Sequence, residues 1–129
     1  MQSALRTDGV RVRVRGRCMA PGIPDGALVE LRARRVRWPG DVVALQIPGG
    51  GARVHRVLGY VPTRRGLALL TQADAEPAAD PPAPLRDVIG TVVGVAEPVT
   101  PVRVSWRHRA RAAARYLRWW GGRLRGGRR

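Results

Sequence analysis

One cysteine, Cys18, stands in the stretch RGRCMAPGIPDG and is the only thiol in the 129-residue chain. A structural cysteine usually lies among apolar residues in a strand or helix, whereas Cys18 opens a segment rich in proline and glycine, whose turns are tightly specified. A thiol beside a protonated imidazole has a pKa below its ordinary value of about 8.5 and becomes a nucleophile near neutral pH. The position of Cys18 therefore makes it a candidate nucleophile, although a lone cysteine is more often a small buried hydrophobe.

The composition limits the general base that such a thiol can use. All 24 lysine and arginine positions are arginine, so no lysine can act as a base, and the two histidines are His55 and His108. In the plainer interpretation Cys18 is a small buried hydrophobe, His55 a structural histidine, and the carboxylates of the neighbouring loop shape turns or lie in solvent. Because Cys18, His55 and His108 lie in different regions without ligand spacing, we expect no metal site and no cofactor.

Short strands separated by glycine and proline must position these residues. Alternation of Val and Arg predicts a half-buried strand at Val10–Gly16, and other alternating or apolar runs predict further strands. Those further strands lie at 27–36, 40–47, 52–61 and 66–72, with a last strand or pair at 88–99. The Pro-rich segment between the last two is predicted as a loop. This spacing is typical of a small all-β barrel or sandwich, so the predicted fold class is mainly β.

Five short motifs follow one another in an order that resembles the signal peptidase I superfamily. They are CMAPGIPDGALVEL, PGDVVAL, VHRVLG, TQADAEPAAD and VIGTVVGV, and the resemblance covers residues 16–95. That superfamily shares its β fold with self-cleaving peptidases of the phage-repressor type. The resemblance implies a signal-peptidase-like β domain with endopeptidase activity.

The resemblance also assigns roles to individual residues. The superfamily uses either Lys or, in its archaeal and endoplasmic-reticulum branch, His as the general base, and His55 in VHRV resembles the His-type branch. Cys18 stands at the place of the nucleophilic serine. Asp80 stands at the place of the carboxylate that orients the imidazole, six residues after Asp74. Supporting roles are implied for Asp74 as a loop-shaping carboxylate, Met19 as a neighbour of the nucleophile and Pro21 as a substrate-contacting residue.

The chain departs from the family pattern at three places. Gly26 and Ala27 stand where the family has Gly-Asp, and Ala73–Ala75 stands where it has Gly-Asp-Asn. Gly16 occupies the position that donates a hydroxyl to the oxyanion in some members. Any oxyanion hole must therefore use mainly backbone N–H groups, such as that of Cys18, each worth about 2.7–4 kcal/mol in known cases.

The reaction that the resemblance implies is peptide-bond cleavage by a Cys-His-Asp mechanism. Cys18 attacks the scissile carbonyl, His55 carries the proton to the leaving amine, and Asp80 fixes the histidine tautomer. The expected function is limited cleavage of a peptide or precursor protein, such as removal of a leader or signal peptide. The alternative is a catalytically inactive peptidase fold that binds a membrane or nucleic acid through its basic tail.

That tail is the most basic part of the chain, with ten arginines from Arg103 onward and no carboxylate after Glu97. The pattern predicts an amphipathic helix at 104–120 that ends at Gly121 and Gly122 and leaves a flexible RLRGGRR segment. A helical wheel places Trp106, Ala110, Ala113, Tyr116, Leu117 and Trp120 on one arc, opposite Arg107, Arg111, Arg115 and Arg118. Three interpretations stay open: the helix lies in an anionic membrane interface, packs on the β domain, or docks on nucleic acid or an acidic protein. Residues expected at a membrane or anion contact are Trp106, Arg107, Arg111, Arg115, Arg118, Trp119 and Trp120.

The expected organisation is a β domain at 1–97 followed by the helix and tail at 98–129. The formal net charge of +15 favours anionic partners, with nucleic acid less favoured than a membrane surface or a membrane protein. No apolar run reaches the length of a secretion signal or a membrane span. The expected location is therefore the cytoplasm, with peripheral contact at a membrane.

Overall fold

The structure is a computed structural model that describes residues 10–16, 23–97 and 99–126. It is mainly β, with one long helix after the strands, as the sequence predicts. The strands are β1 Val10–Arg13, β2 Leu28–Arg32, β3 Val42–Gln46, β4 Ala52–Thr63, β5 Gly66–Gln72, β6 Ala83–Pro84, β7 Val88–Glu97 and β8 Val99–Pro101. A 3-10 helix, Leu85–Asp87, precedes β7, and the helix α1 is Trp106–Gly126. Of these elements, β6 and the 3-10 helix lie in the segment predicted as a loop.

The eight strands form one antiparallel sheet in the spatial order β1-β2-β7-β3-β4-β5-β6, with β8 paired to β7. A parallel bridge joins Val14, just after β1, to Ala52 at the start of β4. This bridge brings the β1 edge back to the middle of the sheet, so the sheet curls into a half-barrel. Arg15, which follows Val14, is therefore held next to β4, the strand that carries His55.

The curl encloses the main apolar core. Alternating Val and Leu residues of β2, β3, β4 and β7 point into it, as expected for strands with one buried face. Its buried members are Val14, Ile23, Ala27, Val29, Leu31, Val42, Ala44, Ala52, Val54, Val92 and Val95. A second cluster on the opposite side of β3, β4 and β5 contains Val43, Leu45, Val57, Leu69 and Ala83. His55 lies on the strand between these two clusters.

Helix α1 packs against β4 and β5, which is one of the three interpretations left open by the sequence. A register shift between Val57 and Gly59 interrupts the alternation of β4, so Leu58 and Val61 both face the helix. The Tyr116 hydroxyl donates a hydrogen bond to the Tyr60 carbonyl at 2.5 Å. A Cβ at Gly59 would lie 2.5 Å from the Tyr116 ring, so the absence of a side chain there lets the helix approach the strand.

The N-terminal half of α1 is fastened to the β2–β3 loop. The Arg109 guanidinium donates to the Pro39 carbonyl and to the Asp41 carboxylate, both at 3.1 Å. A Cβ at Gly40 would lie 2.9 Å from the Arg109 backbone, and Gly40 has a φ of +99° that side chains rarely tolerate. Ser105 caps the helix, because its hydroxyl accepts the His108 N–H at 3.3 Å. Helix and loop therefore form one fixed unit.

Two features of the predicted tail differ in the structure. The helix continues through Gly121 and Gly122 to Gly126, because the arginines that follow are good helix formers and favour the helix C-terminus. The face that packs on the sheet is also rotated from the predicted arc. Its apolar members are Ala112, Tyr116, Trp119 and Trp120, whereas Trp106 and Leu117 are exposed. The wheel could not show this rotation, because apolar residues occupy more than half of the helix circumference.

Candidate active site

The candidate site is centred on His55, which lies near the start of β4. In the sheet His55 is paired with Val43 of β3, and its neighbours on the same face of β4 are Arg53 and Val57. The residue is 3% exposed. A histidine this buried needs a hydrogen-bond partner, since an unpaired polar group in an apolar environment is costly.

Asp80 is that partner. The His55 Nδ1 is hydrogen-bonded to Asp80 Oδ2. The Thr71 hydroxyl donates to the same carboxylate oxygen at 3.1 Å, and the Asp80 N–H donates to the Thr71 carbonyl at 2.9 Å. Thr71 of β5 thus holds Asp80 twice: its hydroxyl binds the Asp80 carboxylate, and its carbonyl binds the Asp80 backbone N–H. An ionised Asp80 can only accept, so this contact places a proton on Nδ1 and leaves Nε2 with a free lone pair.

The other ring nitrogen of His55, Nε2, differs from Nδ1 in its surroundings. Nε2 is buried and has no hydrogen-bond partner among the described residues. A neutral histidine whose Nδ1 donates to a carboxylate keeps a lone pair on Nε2 that can accept a proton.

Burial lowers the pKa of His55 below its ordinary value, although the charge and the hydrogen bond of Asp80 oppose this effect. The nearby Arg53 guanidinium lowers the pKa further. Neutral imidazole is therefore the main form near neutral pH. This is the form that can accept a proton from a thiol.

Cys18, Met19 and Pro21 lie outside the described residues, but both ends of their segment are described. On one side the Gly16 N–H donates to the Asp25 carboxylate at 2.8 Å, and the Arg15 N–H donates to the Ala52 carbonyl at 2.9 Å. On the other side the Gly26 N–H donates to the Val14 carbonyl at 2.8 Å. The segment therefore begins beside β4, three residues before His55, and its two ends are tied to each other.

Asp74, the other predicted carboxylate, does not contact His55 in the described contacts. It binds the Arg56 guanidinium through two hydrogen bonds, at 2.8 and 2.9 Å, and the same guanidinium donates to the Gly40 carbonyl at 2.7 Å. Burial would raise the pKa of Asp74, but the hydrogen bonds and charge of Arg56 outweigh it and lower that pKa. Through Arg56, Asp74 thus fixes the loop after β5 to β4 and to the β2–β3 loop.

The helix residues predicted at an anionic contact fall into two groups. Trp106, Arg107, Arg111 and Arg118 are exposed. Arg115, Trp119 and Trp120 are half-buried, and the two tryptophans pack on the sheet. His108 belongs to neither group, since its Nδ1 accepts the Ser105 N–H at 3.1 Å and completes the helix cap.

Sequence reasoning missed three residues around the dyad. Thr71 holds Asp80, Arg53 acts on the pKa of His55, and Arg56 binds Asp74. Arg53 and Arg56 stand in the motif ARVHRV and could have been found from their spacing to His55. Thr71 could not, because its approach to Asp80 depends on the path of the loop between them.

No protein-family model matches this chain, and none of the curated proteins matches it. Among the described residues, no helix has the length and apolar character needed to cross a bilayer. No three His, Cys, Asp or Glu side chains within that same part of the chain lie close enough together to hold a metal ion.

Proposed function

We propose that this protein is a cysteine endopeptidase in which Cys18 is the nucleophile, His55 the general base and Asp80 the residue that orients the base. One observation carries the proposal: the buried His55 is fixed through Nδ1 by Asp80, and its Nε2 has no described partner. A structural histidine would normally satisfy both nitrogens. The substrate class would be a peptide or precursor protein, cleaved at a limited number of sites, as the resemblance to signal peptidases implies.

The mechanism begins with a neutral thiol and a neutral imidazole. His55 Nε2 takes the proton of Cys18 as the sulfur attacks the scissile carbonyl carbon, and the imidazolium that forms is stabilised by Asp80. The same proton then passes from Nε2 to the leaving amine, and a thioester remains on Cys18. His55 takes a proton from water, which attacks the thioester; the Cys18 sulfur then leaves, takes the proton back from His55 as the thiol re-forms, and the second product is released as the carboxylic acid.

The described residues just before Cys18 lie beside the strand that carries His55. Arg15 is hydrogen-bonded to Ala52, and His55 lies three residues further along the same strand. Cys18 follows Gly16 by two residues, which span at most about 7 Å. The mechanism requires the Cys18 sulfur to reach hydrogen-bond distance of Nε2.

The test is the pH dependence of iodoacetamide alkylation at Cys18, the only thiol. We expect alkylation near neutral pH to be faster in the parent chain than in His55→Ala, because neutral His55 accepts the thiol proton as the sulfur attacks, whereas in His55→Ala the rate should follow the free-thiol value of about 8.5. His108→Ala is the matched control, since it removes the other histidine and leaves the dyad intact. If the parent and His55→Ala titrate alike, or if the folded thiol is unreactive, Cys18 is not coupled to His55 and the proposal fails.

A second measurement separates a reactive thiol from a peptidase. The parent chain and Cys18→Ala are incubated with a peptide library, and new termini are read by mass spectrometry. We expect cleavages with the parent chain only. A coupled thiol without cleavage of any peptide would instead favour the competing function, an inactive peptidase fold that acts as a binding module.

A further inference from the structure

Helix α1 carries a second apolar stripe that faces away from the sheet. Trp106, Leu117 and Leu124 are 73%, 69% and 72% exposed. Their spacing, with Ala110 and Ala113 between them, places all five residues on one side of the helix. Large apolar side chains in one exposed row are unusual for a surface that meets only water.

The β2–β3 loop extends this stripe. Trp38 is 63% exposed, and with Pro39 it lines a shallow apolar hollow against Ala110 and Ala113 of the helix. The hydrogen bonds of Arg109 to the loop hold the two elements together. The result is one continuous region, here called the outer apolar surface. It consists of Trp38, Pro39, Trp106, Ala110, Ala113, Leu117 and Leu124.

Arginines border the outer apolar surface, and the one carboxylate of the two elements, Asp41 at the end of the loop, is bound by Arg109. One border is an exposed row on α1, and the other is the loop that carries Trp38. The exposed arginines are Arg107, Arg111, Arg118 and Arg125 on the helix, and Arg34 and Arg35 on the loop. The sequence contains no Asp or Glu between Leu31 and Gly40 or from Trp106 to Gly126. The surface is therefore apolar in the middle and cationic at its edges.

We propose that the outer apolar surface docks on an anionic lipid bilayer. The tryptophans and leucines would lie at the level of the headgroups and the first acyl carbons, and the bordering arginines would bind lipid phosphates. Nucleic acid would satisfy the arginines equally well, but it would leave Trp38, Trp106 and Leu117 in water. The half-buried Trp119 and Trp120 pack on the sheet and take no part. This proposal does not depend on the peptidase mechanism.

The test is co-sedimentation with vesicles of phosphatidylcholine containing 30% phosphatidylglycerol, using the full chain. The triple variant Trp38→Ser, Trp106→Ser, Leu117→Ser removes the apolar residues, and Leu67→Ser removes a leucine that is 52% exposed and lies outside the surface. We expect the triple variant to lose at least about tenfold in affinity and Leu67→Ser to bind like the parent chain. Circular dichroism melts establish that the variants remain folded.

A second pair of variants tests the arginines at constant net charge. Arg107→Gln, Arg111→Gln, Arg118→Gln removes three charges from the border, and Arg64→Gln, Arg65→Gln, Arg86→Gln removes three exposed charges from the β4–β5 turn and the 3-10 helix. We expect the first triple to weaken binding by at least about tenfold more than the second. An equal loss of vesicle affinity in both triple variants would show that only the net positive charge attracts the protein to the vesicles, and it would overturn the proposal.

Two further outcomes would also overturn it. One is that the parent chain fails to bind the anionic vesicles at low salt. The other is that the parent chain binds a DNA duplex at least as tightly as it binds the vesicles, and that the apolar triple variant binds the same duplex as tightly as the parent chain does. The second result would assign the surface to nucleic acid.

Discussion

At the scale of single residues, opposing effects act on the pKa of His55. Burial and Arg53 disfavour the imidazolium, and Asp80 favours it. A general base must remain neutral before the reaction and accept a proton during it, so this balance suits catalysis. Asp80 also decides the tautomer, because its carboxylate can only accept a hydrogen bond from Nδ1.

These influences can be measured separately through the pKa of His55. Arg53→Gln removes a cation and should raise that pKa, whereas Asp80→Asn removes a favourable charge and should lower it. The measurement is the titration of the imidazole carbon-bound protons by NMR, and His108→Gln assigns the two signals because the chain has two histidines. Shifts of the same sign in both variants would contradict the described arrangement.

At the scale of elements, the contact between β4 and α1 depends on one glycine. A methyl group at Gly59 would lie 2.5 Å from the ring of Tyr116, which no small adjustment relieves. The register shift before Gly59 and the hydrogen bond from Tyr116 to Tyr60 fix the same contact from both sides. The strand that carries His55 is therefore supported by the helix beyond its bulge.

Gly59→Ala should lower the free energy of unfolding by about 1–3 kcal/mol, the usual cost of overpacking. Most of this loss should disappear when Tyr116→Ala is already present, since the clashing ring is then absent. Urea denaturation of the four proteins of this double-mutant cycle gives the coupling. An additive cycle would mean that Gly59 and Tyr116 do not touch.

Gly122→Ala is the matched control for that substitution. It adds the same methyl group to a helical position where nothing lies within 4 Å. Because alanine is a better helix former than glycine, this variant should stabilise the protein by up to about 1 kcal/mol. A loss of stability there would show that α1 does not continue beyond Gly121.

The elements were more predictable from the sequence than their contacts were. Alternating Val and Arg in β1 and the bounded apolar runs identified the strands, because a half-buried strand requires a period of two. The rotation of α1 was not predictable, since Trp106 and Tyr116 are equally apolar and only the surface of the sheet distinguishes them. In the candidate site, His55 and Asp80 were predicted from the family resemblance. Thr71 was not, because a hydroxyl in a strand carries no signal of its partner.

At the scale of the whole molecule, a charge of +15 is distributed unevenly. Three of the nine carboxylates pair with basic side chains of the fold: Asp41 binds Arg109, Asp74 binds Arg56, and Asp80 binds His55. Each of these pairs joins elements distant in the sequence. Most of the other described arginines are exposed, and several of them form the cationic borders beside α1.

The lowered pKa values of the two histidines make the stability of the fold depend on pH. The pKa of His55 is lowered mainly by burial, and the pKa of His108 is lowered by burial and by the charge of Arg56. The unfolded chain therefore binds more protons than the folded one between the lowered values and 6.5, the ordinary value. In that window stability must rise with pH and fall as acid is added. Asp74, whose pKa is lowered from 3.8, acts in the same direction only at lower pH.

We therefore expect the urea midpoint to fall between pH 7.5 and pH 5.5, a range that excludes the carboxylates and the free thiol. The slope should be reduced in His55→Gln and again in His108→Gln, and it should nearly vanish in the double variant. Measurements at constant ionic strength keep the screening of the arginines unchanged. A midpoint that stays constant or rises on acidification would mean that both imidazoles are as accessible to protons in the folded protein as in the unfolded chain, and the buried dyad would then lose its main physical support.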